Sequence, residues 1–227
     1  MAEDARSQIL SGLRRALHGT DGDGRAEAVA RRLAERPRGP IPARGQLPPA
    51  RRAELFLEMA QAVGATVERV AAPSRVPHAV ADYLAAHNLP ARVRVAPDAE
   101  LSSLPWDRRP TLEVGFGGAQ PDDAVSVTAA LAGVAETGTL LAVSGPGSPT
   151  ALNFLPGVHI VVLHADRVVG SYEEAWEMLR RAGPMPRTAG LITGPSRTGD
   201  IEQTILLHAH GPGRLHILLV GEAAQDG

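Results

Sequence analysis

The chain has 227 residues, 44% of them apolar and 21% charged, with a net charge of −2. That suits one large or two small folded domains and argues against wholesale disorder. Cysteine and lysine are both absent, which excludes disulfides, thiolate nucleophiles, cysteine-held metal clusters, Schiff-base chemistry and a phosphate-loop lysine. Acyl or phosphate-ester chemistry through carboxylates and hydroxyls is left, or no chemistry.

Between residues 4 and 19, Ile9, Leu10, Leu13, Ala16 and Leu17 recur at helical spacing, and Gly19 is a natural stop. A second short helix is predicted over 23–35, with Val29 and Leu33 four apart. Prolines crowd residues 37–49, which read as an extended linker. Residues 1–52 carry eleven arginines against six acidic residues. This basic arm has too few apolar positions to fold alone. Phe56 is the first aromatic residue, so the stacking platforms of a single-strand binder are missing and no nucleic-acid partner is expected. The arm is read as a docking element, for the chain's own body, for a second copy in a homo-oligomer or for another partner. No apolar run has signal-peptide or membrane-spanning length. A soluble, cytoplasmic chain without a transmembrane segment is expected.

Helix and strand then alternate. Helices are predicted over 53–63, 76–87 and 172–181. Strands are predicted over 66–70, near Val93, and over 112–116, 125–128, 139–143, 158–163, 190–193 and 215–220. The runs 158–163 and 215–220 are almost wholly apolar, as in strands buried on both faces of a parallel sheet. The predicted division is an arm and linker over 1–50, an α/β domain over 51–221 and a frayed tail over 222–227. Ligands are expected at the carboxyl ends of the strands.

Three segments could carry chemistry. In residues 135–140, AETGTL, the Glu136 carboxylate lies between apolar runs, next to Thr137, Gly138 and Thr139, and Ser144 and Gly145 follow. Burial raises a carboxyl pKa toward neutrality, so Glu136 suits a nucleophile or general base, or a cap on backbone groups at a bend. Residues 193–202, TGPSRTGDIE, put Gly194, Ser196, Arg197, Thr198, Asp200 and Glu202 in one loop after a strand. Hydroxyls, loop amides and a forked guanidinium suit a carboxylate or phosphate; a turn with Arg197 paired to Asp200 or Glu202 is the structural alternative. His208 and His210, with Asp200 and Glu202, invite a metal reading. Their spacing matches no metal motif, so no metal is expected.

AETGTL, SGPG, VHIVVLHADRVV, GPSRTGDIEQT and HGPGRLHILLV follow one another between residues 122 and 220. Together they resemble the lactate-utilisation protein C family, built on the LUD domain. GPSRTGDIE is the most specific piece, and Gly199 replaces the alanine usual after its threonine. The resemblance implies a Rossmann-like three-layer α/β/α sandwich of the sugar-phosphate isomerase/CoA-transferase-like superfamily. It also implies a three-protein system oxidising L-lactate to pyruvate, in which two cysteine-rich companions carry the iron–sulfur clusters and this chain carries no cofactor. Isomerases of that fold use a lysine, absent here; its CoA transferases use a glutamate nucleophile, which Glu136 resembles. The leading expectation is an accessory subunit that binds a small anionic metabolite. Arg197 would hold the acid group, the other loop residues named above and His210 would complete the shell, and Glu136 would be the acid or base. The rivals are a CoA- or acyl-transferring enzyme with Glu136 as nucleophile, and a non-catalytic module that senses a metabolite.

Overall fold

The structure is a computed structural model that describes residues 2–17, 22–198, 206–207 and 210–221. It divides into the units Met1–Pro40 and Ile41–Gly227. The first unit holds α1 (Ala2–Leu17) and α2 (Gly22–Glu35). Their apolar side chains Ile9, Leu13, Leu17, Val29 and Leu33 are all exposed.

The second unit begins with α3 (Pro49–Ala62), β1 (Thr66–Val70), α4 (Val76–Ala86), β2 (Arg92–Val95), α5 (Ala99–Ser102) and β3 (Glu113–Phe116). It continues with β4 (Val125–Ala129), β5 (Ala132–Val134), β6 (Thr139–Val143), β7 (Val158–His164) and β8 (Val168–Val169). The last elements are α6 (Tyr172–Arg181), β9 (Ala189–Ile192), β10 (Arg197–Thr198), β11 (Leu206–Leu207) and β12 (Arg214–Val220). The long strands and helices therefore stand where sequence periodicity puts them. No helix among the described residues is long and apolar enough to cross a membrane.

Six strands form a parallel central sheet in the order β1-β12-β7-β4-β2-β3. The apolar runs of β7 and β12 lie at its centre and serve both faces, as the two-sided burial of such runs requires. Ile160, Val162, Leu218 and Val220 pack with Val76, Val80, Tyr83 and Leu84 of α4. Val161, Leu163, Ile217 and Leu219, offset by one residue, pack with Ala53, Phe56 and Ala60 of α3. The fold is α/β, a parallel sheet flanked by helices.

On the α3 side a second sheet, β8-β5-β6-β9, is inserted as an extra layer. Its β5–β6 and β6–β9 pairs are antiparallel. One of its faces contributes Ala135 and Leu140 to the α3 core. The other packs Ala132, Val134 and Leu141 against Ala175 and Leu179 of α6. Gly133 permits the close approach, because a Cβ there would lie 2.6 Å from Leu163 and 2.9 Å from the Phe56 ring. β5 and β8 have no length or alternation to reveal them in sequence.

α6 is capped at both ends. The Ser171 hydroxyl accepts the Glu174 N–H at 3.4 Å, the Glu174 carboxylate accepts the Gly170 N–H at 2.6 Å, and Arg180 and Arg181 close the last turn. Ser171→Ala is expected to cost about 1 kcal/mol, read as a lower urea midpoint at unchanged m-value. A midpoint equal to wild type would show that the cap contributes nothing.

Candidate functional site

The β5–β6 turn holds residues 135–138, and β9 runs antiparallel to β6, with Leu140 opposite Ile192. The register sets Thr139 beside Thr193, and their hydroxyls are 2.8 Å apart. The AETGT segment therefore meets Thr193, the first residue of the 193–202 segment. It does so on the second sheet, not at the carboxyl ends of neighbouring central strands as expected. The Tyr172 hydroxyl joins the cluster, 3.0 Å from Thr137 Oγ1 and 2.8 Å from Thr139 Oγ1.

Glu136 is buried, at 4% exposure. Its carboxylate accepts the Tyr172 N–H at the start of α6 at 3.1 Å, and its own N–H donates to the Gly170 carbonyl. That geometry is a backbone cap. Gly138 has φ +66° and lies against the α3 backbone at Met59 and Ala60. Ser144 stands at the far end of β6, roughly 13–17 Å from Thr139 by strand rise. There it exchanges hydrogen bonds with the Thr188 backbone. Gly145 is exposed beyond it.

A pocket of about 230 Å³ lies where the carboxyl end of β9 reaches the amino ends of β7 and β12. Thr193, Gly194, Pro195 and Ser196 form one wall, and His210, Gly211 and Pro212 form another. The walls are tied by the Ser196 N–H donating to the Pro212 carbonyl at 2.8 Å. Phe154, Leu191, Ile192 and Leu215 give apolar surface, and Asn153 and His159 complete the lining. Of the predicted site residues, Gly194, Ser196 and His210 are thus brought together. Arg197 is exposed and lies over Gly64, after the carboxyl end of α3, outside this lining. Thr198 is described only in its backbone, and Asp200, Glu202 and His208 lie outside the described residues. Among the described residues no group of three or more His, Asp or Glu could hold a metal ion.

Asn153 and His159 escape sequence reasoning, because one precedes a strand and the other lies inside an apolar run. They are 6% and 1% exposed. Among the described residues, Asn153 Oδ1 and His159 Nδ1 have no hydrogen-bond partner. His159 Nε2 is 2.7 Å from Thr128 Oγ1. Burial pushes the His159 imidazole down to about 3, so it is neutral at ordinary pH. Leaving such atoms unpaired costs about 1–3 kcal/mol each, so each calls for a partner that the described residues do not supply.

Residues 122–220 match the family described as LUD domain. This segment is similar to the LUD domain. Every residue that lines the pocket falls within the matched LUD segment. The uncharacterized protein NMB1437 of Neisseria meningitidis is 33% identical over 128 residues, 56% of this chain and 50% of that protein. Lactate utilization protein C of Bacillus pumilus is 36% identical over 93 residues, 39% of each chain. Lactate utilization protein C of Deinococcus radiodurans is 34% identical over 100 residues, 44% of this chain and 47% of that one. The chain thus spans half, or less, of the length of the curated relatives it matches. A crystal structure of a DUF162 family protein from Deinococcus radiodurans has the same fold, with a TM-score of 0.55 and 23% identity over 77% of this chain and 99% of that one.

Proposed function

We propose that this chain serves lactate utilisation as an accessory component of a cytoplasmic L-lactate-oxidising system, and that its pocket takes a small anionic metabolite. The carrying observation is that a pocket with unpartnered buried polar atoms lies wholly within the segment that matches the LUD domain. Its 230 Å³ is below the usual range for drug-sized ligands and suits a small acid. The acid group would sit among Ser196, His210 and the amides of the loop. The Arg197 guanidinium lies over Gly64, outside the lining, and would serve the acid group only after turning away from Gly64. Electrons would pass through cysteine-bearing iron–sulfur partners, and the basic arm over 1–50 would dock this chain to them.

Titration calorimetry with lactate and pyruvate checks the pocket. Binding is expected, and Ser196→Ala is expected to weaken it about fivefold, the worth of one neutral hydrogen bond. Partners recovered from the native host are expected with the full chain and lost with a chain starting at residue 51. Lactate oxidation is expected to fail in cells without this chain. No heat with either acid, together with normal lactate oxidation in those cells, would sink the proposal.

A further inference from the structure

We infer that Asn153 and His159 form a neutral polar floor to the pocket that recognises an uncharged function of the ligand, a carbonyl, hydroxyl or carboxamide. The ligand's charged group then stays at the mouth. This rests on the pocket reading above and adds which end of the ligand is buried.

The pocket is graded in exposure. Asn153 and His159 are buried, whereas Phe154 and Leu191 are 42% and 45% exposed and Thr193 and His210 are exposed too. The floor pair is complementary in hydrogen bonding. A neutral imidazole has one donor and one acceptor nitrogen, and a carboxamide has both an acceptor oxygen and a donor NH₂. Thr128 Oγ1 engages His159 Nε2. When the Thr128 hydroxyl donates to Nε2, the ring proton is on Nδ1, which becomes the donor. The Asn153 amide then supplies the acceptor, or a second donor in its flipped orientation.

No lining residue except the two histidines can carry charge, and burial holds His159 neutral. Burying a carboxylate against Ile192 and Leu215 without a cation is far costlier than burying a hydrogen-bonded carbonyl or hydroxyl. An anionic group therefore stays near Ser196 and His210, in reach of solvent. A ligand with acid and uncharged oxygen on adjacent carbons meets both ends of the pocket.

The test uses the full chain labelled with ¹⁵N-histidine, with His159 assigned from the resonances missing in His159→Gln. Propionate, lactate, pyruvate and lactamide are the probes, followed by calorimetry and by the His159 ring nitrogens. Lactate and pyruvate are expected to bind about fivefold or more tighter than propionate, the worth of one added neutral hydrogen bond. These two and lactamide should shift the His159 nitrogens, and propionate should not. Asn153→Leu should bring lactate down to the propionate affinity. Equal affinities for propionate and lactate, with His159 unmoved, overturn the floor while the anion pocket stands. Lactamide binding that moves His159, with no carboxylate bound, supports the floor and overturns the anionic reading. Failure of all four probes to bind overturns both.

Discussion

Gly138→Val is expected to lower stability by about 2–5 kcal/mol. Two costs add. Gly138 has φ +66°, a left-handed conformation that costs a residue with a Cβ about 1–2 kcal/mol. A Cβ there would also overlap the α3 backbone at Met59 and Ala60. Overpacking a core costs about 1–3 kcal/mol, and helix backbone yields less than a side chain does. For a body of this size the melting temperature should fall by roughly 5–15 °C. Gly145→Ala is the matched control from the same stretch of sequence. A Cβ at Gly145 would meet nothing within 4 Å, so its change should stay within about 0.5 kcal/mol. Differential scanning calorimetry reads both. A Gly138→Val chain melting within about 2 °C of wild type would mean, at the sensitivity of about 2–4 °C per kcal/mol, that the turn does not press on α3.

Stability should also fall as the solution is acidified from pH 6.5 to 5. Two histidines stay neutral in the folded chain. Burial holds His159 at about 3. His216 lies at about 4, lowered by burial and by the charge of His87 against a hydrogen bond with Thr66 that raises it. Its Nδ1 is 2.8 Å from Thr66 Oγ1, and its ring stacks on Tyr83 at 4.1 Å. In the unfolded chain both titrate near 6.5. Well above that value neither state binds these protons, and the stability is complete. Below it the unfolded chain takes up protons that the folded chain refuses. Each histidine then removes up to about 1.4 kcal/mol per pH unit, until the folded values near 4 and 3 are reached. Between pH 6.5 and 5 the pair should remove roughly 3 kcal/mol. Asp123 does not contribute in this window. Burial would raise its carboxyl, but the Arg94 and Gln120 hydrogen bonds and the charges of Arg94 and Arg92 hold it below its ordinary value, so its effect comes only at lower pH. Urea unfolding at fixed ionic strength measures the profile, and His216→Phe should remove about half of the slope. A flat profile from pH 6.5 to 5 would contradict neutral burial of both rings.

The amino-acid sequence by itself determines the parallel sheet. The runs 158–163 and 215–220 are apolar at every or nearly every position, and only strands covered on both faces bury such runs, so β7 and β12 had to be central. It likewise carries the helices α4 and α6 and the motifs between residues 122 and 220 that match the LUD domain. These signals are local, in periods of 2 and 3.6 residues and in the chemistry of helix ends. The second sheet is not local. β5 has three residues and β8 two, and each exists only through pairing with distant strands. Their pairing delivers Thr193 to Thr139 across 54 residues of chain and brings the 193–196 loop to the amino ends of β7 and β12. Sequence could show that Glu136 and Arg197 are polar residues in unusual places. It could not show that Glu136 turns to the start of α6 while Arg197 lies over Gly64. Nor could it show the role of His159, whose apolar neighbours Val158 and Ile160 point to the opposite face of the sheet. Which buried polar atom lacks a partner depends on what the other layers bring within hydrogen-bonding distance, and only the tertiary structure decides that.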